Sequence, residues 1–152
     1  MQYPPGQWRA EGFTAAEAQT CRDGVAAENS TLSAELAQLQ ELEYRAELRA
    51  TRLLAATVHA EYPAAKLIAL EWSDQGGKAM TLDGVLDAER NYLVDDPWEM
   101  ESCDEATYLA TCLTEDGAWE MAKDPKSSVP WVDIDRALAL QVPAPAPITE
   151  QP

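Results

Sequence analysis

Between Thr31 and Tyr62 the apolar positions recur in steps of three and four. Leu32, Leu36, Leu39, Leu42, Ala46, Ala50, Leu53 and Thr57 form one stripe, and Glu35, Glu41, Glu43, Arg45, Glu47, Arg49 and Arg52 fill the remaining surface. That spacing is the period of an amphipathic helix and approaches a heptad. The stretch is made of strong helix formers and holds neither Gly nor Pro until Pro63. Such a helix reaches roughly 45 Å, longer than a domain of about 80 residues is wide, so part of it must project or pair.

Upstream, Thr14-Ala15-Ala16-Glu17 matches a capping box, with Phe13 placed to staple against Ala18, so a helix is expected to start at Thr14. Gly24 interrupts this first stretch, and Asn29-Ser30-Thr31 offers a second start signal. Two arrangements follow. Either Leu32, Leu36, Leu39, Leu42 and Leu53 form a self-association seam between chains, or residues 14–29 fold back as a helical hairpin.

After Pro63 the period changes to two. Ile68, Leu70 and Trp72 share one face of a strand, and Met80, Leu82 and Leu86 alternate inward on a second, with Ser73-Asp74-Gln75-Gly76-Gly77 between them as a hairpin turn. Asp87 to Asn91 reads as another turn, leading to a short strand at Tyr92-Leu93-Val94 that Asp95-Asp96-Pro97 ends. The simplest product is an antiparallel meander. Ser102-Cys103-Asp104-Glu105 is a second capping box, opening a helix expected to end near Gly117. Trp119-Glu120-Met121 and Pro130-Trp131-Val132 are candidate further strands, and Asp133 caps a short last helix.

The expected fold is therefore α+β: a long N-terminal helix or helical hairpin, then a small antiparallel sheet with one or two packed helices. The segments are a flexible arm (1–13), a helical part (14–62), an acidic α+β domain (63–140) and a disordered Pro/Ala tail (141–152). The chain length of 152 residues leaves room for one ordinary core.

Charge changes the picture more than composition does. The formal net charge is −16, and residues 63–140 hold seventeen acidic residues against six basic ones. Nine carboxylates fall within 83–105, opposed only by Arg90. A field of that sign repels bare nucleic acid and anionic membrane, so neither is expected as a direct partner. A basic protein partner is expected instead, including a nucleic-acid-binding one whose groove the carboxylates would occupy in place of phosphates. The residues expected to carry the contact are Asp83, Asp87, Asp95, Asp96, Glu99 and Glu101, with Trp98 and Trp119 as anchors beside acids, since Trp is enriched at interfaces.

Motifs for chemistry are sparse. No phosphate-binding loop, dinucleotide fingerprint, H-E-x-x-H or G-x-S-x-G is present, and Gly76-Gly77-Lys78 precedes a strand, not a helix. Cys21, Cys103 and Cys112 form no C-x-x-C pair and read as free thiols of a reducing, cytoplasmic compartment. Nine residues apart, Cys103 and Cys112 would lie on opposite faces of one helix and would not share a metal. No calcium loop is present, so no metal site and no cofactor are expected. His59, the single histidine, falls at the end of the long helix, where a cationic ring is favoured. The start of the chain has neither a charged nor an apolar leader segment, so no standard export signal is expected, and no apolar run is long enough to span a bilayer.

The Ala-rich helices, the preference for Arg over Lys outside the sheet domain, the acidic turns and the string Leu82-Asp83-Gly84-Val85-Leu86-Asp87 resemble small accessory proteins of actinobacteria and their phages. That resemblance implies no particular fold, activity or site. The function expected from the residues is that of a non-enzymatic, homo-oligomeric interaction or regulatory protein. The alternatives are a small enzyme using paired carboxylates or Cys103, and a structural component of a larger, phage-like assembly.

Overall fold

The computed structural model describes residues 14–72 and 79–144. The arm expected at 1–13, the hairpin turn at 73–77 and the end of the tail lie outside these residues. The fold is α+β. A 47-residue helix, α1 (Ala15–Glu61), precedes the strands β1 (Leu67–Trp72), β2 (Met80–Leu86) and β3 (Tyr92–Val94). Helix α2 (Cys103–Thr111), strand β4 (Trp131–Asp133) and helix α3 (Ile134–Leu138) complete it. The chain divides into two compact units, Met1–Glu41 and Leu42–Pro152.

Thr14 caps α1 as its capping box predicts, accepting from the Glu17 amide at 3.1 Å. The second start signal is overridden. Ser30 and Thr31 turn their hydroxyls back onto the Ala26 and Ala27 carbonyls, so the helix runs on without the turn a hairpin needs. In the second unit, the buried face of α1 is Glu47, Leu48, Ala50, Thr51, Leu54, Ala55 and Val58. Only Ala50 belongs to the leucine stripe read from the sequence. The buried Thr51 hydroxyl is satisfied by the Glu47 carbonyl at 2.8 Å.

The sheet has the order β3-β2-β1-β4, antiparallel throughout, so the expected meander gains a fourth strand on the free side of β1. Leu82 opposes Leu70 while Gly84 opposes Ala69, which leaves Asp83 as an extra, bulged residue. The bulge shifts the alternation by one. Val85, opposite Ile68, therefore joins Met80 and Leu82 in the main core, and Leu86, expected there, turns to the other face with Leu67 and Ala69.

The main core packs that first face against Leu48, Leu54 and Val58 of α1, Leu109 and Ala110 of α2, and Trp119 and Ile134. Helix α2 stops at Thr111, short of Gly117. The loop after it is held from α1: both carboxylate oxygens of Glu47 accept from Thr114, from its amide and its hydroxyl, each at 3.0 Å. Residues 118–122 form a 3-10 turn in place of the expected strand. Asp133 caps α3 as predicted, accepting from the Arg136 amide at 3.2 Å. The start of the expected tail is attached: Val142 packs on the core and Arg49 donates to the Pro143 carbonyl at 3.3 Å.

Candidate functional site

The acids singled out in the sequence do not form one cluster. Asp87 is structural: its Oδ1 accepts from the amides of Glu89 and Asn91 at 3.0 and 2.9 Å, closing the β2–β3 turn. Asp83 occupies the bulge and accepts from the Tyr92 hydroxyl at 3.3 Å. The remaining four, Asp95, Asp96, Glu99 and Glu101, are exposed around the turn between β3 and α2.

That turn is built to hold its side chains outward. Pro97 needs no amide partner, Asp96 accepts from the Trp98 amide at 3.1 Å, and the Met100 amide closes onto the Pro97 carbonyl at 3.0 Å. Met100 is buried and anchors the turn from beneath, which leaves Trp98 84% exposed. Beside the indole runs a groove of about 470 Å³ lined by Thr81, Leu82, Asp96, Trp98, Cys103 and Asp104.

The far end of the turn is fixed by a residue the sequence reading missed. Glu61, at the end of α1, accepts from the amides of Glu101 and Ser102, each at 2.9 Å, and from the Ser102 hydroxyl at 2.6 Å. Ser102 stands at the N-cap position of α2 but makes no side-chain cap bond, so the predicted capping box does not close. Burial pushes the Glu61 carboxyl up. The Ser102 hydroxyl, the Ser102 and Glu101 amides and the Tyr62 hydroxyl outweigh it and hold the group at about 2. Glu61 is thus a fixed anion at neutral pH, not a proton donor. The Tyr62 phenol is pushed up by burial and then by the charges of Glu61, Glu99 and Glu101, as expected in a negative field.

Trp119, expected as a second surface anchor, is fully buried, and its indole Nε1 donates to the Thr114 carbonyl at 2.7 Å. It is core because the 3-10 turn that carries it faces α1 and α3 residues of the same hydrophobic cluster.

The leucines of the predicted seam are all outside the core. Leu32, Leu36, Leu39, Leu42 and Leu53 are each between 49% and 62% exposed, and Val25 at 62% extends the series. Val25 was missed although 25, 32, 39, 46 and 53 are spaced by seven, a signal present in the sequence.

All three cysteines are free: Cys21 is exposed, and Cys103 and Cys112 lie half-buried near the two ends of α2. The Nδ1 of His59 is buried without a hydrogen-bond partner. Among the described residues no group of three or more His, Cys, Asp or Glu side chains converges as metal ligands, and no helix is long and apolar enough to cross a membrane. No protein-family model matches this chain, and neither a curated protein nor a solved structure matches it.

Proposed function

We propose that this protein is a non-enzymatic interaction protein that assembles through α1 and presents the turn between β3 and α2 to a basic protein partner. The observation that carries the reading is the 84% exposed Trp98, set among Asp95, Asp96, Glu99 and Glu101 on a turn anchored by Met100 and Glu61. A large apolar ring left this exposed has no role in the core and suits an interface anchor ringed by charge. The charges steer a basic surface to it, and nucleic-acid-binding proteins are the partner class whose grooves suit a carboxylate-bearing decoy. The exposed leucines of α1 support pairing between copies, since one helix leaves them uncovered. Free thiols fit a reducing, cytoplasmic setting.

The test is capture of partners on the immobilised full chain, with nuclease, at about 50 mM and about 300 mM salt. The wild type is compared with a variant in which Asp95, Asp96, Glu99 and Glu101 are all replaced by Lys. A basic protein retained at low salt, released at high salt and lost in the variant supports the reading. Equal retention by the variant refutes it.

A further inference from the structure

The second face of the sheet carries a groove of its own. Its small hydrophobic cluster, Leu67, Ala69 and Leu86, is packed by Trp131, and among the described residues no helix side chain belongs to it. Across the four strands this face holds Tyr92 on β3, Gly84 on β2, Ala69 on β1 and Trp131 on β4. Gly84 is required there, since a Cβ would come within 2.8 Å of the Tyr92 ring. The two aromatic residues thus flank a floor with no side chain larger than a methyl group. Beside them opens a groove of about 610 Å³ whose walls include Glu71, Trp72, Asp83, Tyr92, Val129 and Trp131. Trp72, Tyr92 and Val129 are each between 43% and 48% exposed.

The Asp83 carboxylate lies among three aromatic residues of this lining, Trp72, Tyr92 and Trp131. Burial and then the charges of Asp83, Glu71 and Asp95 push the Tyr92 phenol up, which fits a negative potential at this site. Trp131 already receives one guanidinium, that of Arg90, 5.9 Å from its ring centroid, so stacking of a cation on this ring is part of the fold. Aromatic faces beside a carboxylate suit a planar guanidinium better than an ammonium, because it stacks and donates in its plane.

We propose that this groove takes an arginine side chain of a basic protein partner, its stem against Tyr92 and Val129 and its guanidinium at Asp83. The proposal rests on the reading of a basic partner but uses a different set of residues from the Trp98 turn. The probe is a hexa-arginine peptide titrated into the full-length protein, read by the five indole N–H signals in a ¹H–¹⁵N spectrum, with hexalysine as the comparison. The expected result is movement of the Trp72 and Trp131 signals, with affinity reduced about tenfold in Asp83→Asn and in Tyr92→Leu, and weaker binding of hexalysine. Asp83→Asn preserves side-chain volume, so its effect stands even where Tyr92→Leu disturbs the sheet.

Unchanged affinity in Asp83→Asn, movement confined to Trp98, or equal binding of hexalysine would overturn the proposal. In the fourfold Lys variant of the Trp98 turn, the Trp72 and Trp131 movements persist if the groove acts by itself. Their persistence alongside loss of partner capture separates the two sites.

Discussion

Glu61 and Ser102 are 41 residues apart in the chain and 2.6 Å apart at their nearest atoms, where the serine hydroxyl donates to the carboxylate at the end of α1. Through this contact the long helix fixes the turn that carries Trp98. The carboxylate accepts from the Glu101 and Ser102 amides, the Ser102 hydroxyl and the Tyr62 hydroxyl, and is held at about 2 against an ordinary 4.5. A carboxyl depressed on folding contributes stability that is complete above its unfolded pKa and is lost as pH falls through the folded one. The midpoint of thermal unfolding should therefore decline between about pH 4.5 and pH 2 more steeply in the wild type than in Glu61→Gln. At pH 7, Glu61→Ala should lose about 1–2 kcal/mol, discounted for partial solvent exposure, by urea denaturation.

Gly117 is the residue against which the Glu47 carboxylate rests, and a Cβ there would overlap it. Gly117→Ala must displace Glu47 from the Thr114 amide and hydroxyl, and should destabilise the fold by about 2–3 kcal/mol. In a Glu47→Ala background the same change should be milder by about 1 kcal/mol or more, and a double-mutant cycle measures the difference.

Trp98 and Trp119 should respond oppositely to truncation. Trp98→Ala removes a side chain that touches little of its own chain and should alter stability by no more than about 0.5 kcal/mol. Trp119→Ala empties the centre of the core and leaves the Thr114 carbonyl without its indole donor, a loss of about 3–5 kcal/mol. Urea unfolding followed by circular dichroism reads both.

Arg90 adopts φ 65° in the β2–β3 turn and meets the buried Asp124 carboxylate as an ion pair at 2.7 Å. Arg90→Ala should cost about 2–4 kcal/mol, because it leaves a buried charge uncompensated. Arg90→Gly should cost about 0.5–1 kcal/mol less, since glycine accepts the left-handed backbone without strain.

Self-association through α1 should show as a mass above that of the monomer in sedimentation equilibrium. Changing Leu36 and Leu39 to Asp should return the protein to monomer, with the thermal transition of the Leu42–Pro152 unit unmoved, because neither side chain belongs to its core. Association should persist at about 300 mM salt, where screening weakens the acidic contact, because apolar burial is not screened.

Local sequence determined the secondary structure of this protein closely. Continuous helix formers from Thr31 up to Pro63 specified the second part of α1 but left open whether 14–29 continued it, period-two alternation specified β1 and β2, and Asp-rich turns and caps specified β3 and α3. In each case the deciding interactions lie within a few residues, so a single chain segment contains them. The acidity of the sheet domain was equally legible, since charge needs no fold to be counted.

What the tertiary structure decided is which of several equivalent segments faces inward. The bulge at Asp83 reversed the roles of Val85 and Leu86, because alternation inverts when one residue is left unpaired. Two faces of α1 carry leucines, and the core took the one with Leu48 and Leu54, leaving Leu53 exposed. Trp98 and Trp119 each precede a glutamate, yet one is exposed and the other is the largest fully buried side chain. The contacts of Glu61 with Ser102 and of Glu47 with Thr114 span 41 and 67 residues, and the strand order alone sets Tyr92 and Trp131 on opposite edge strands of one sheet. Such placements follow from the packing of the whole chain, which no local pattern of residues encodes.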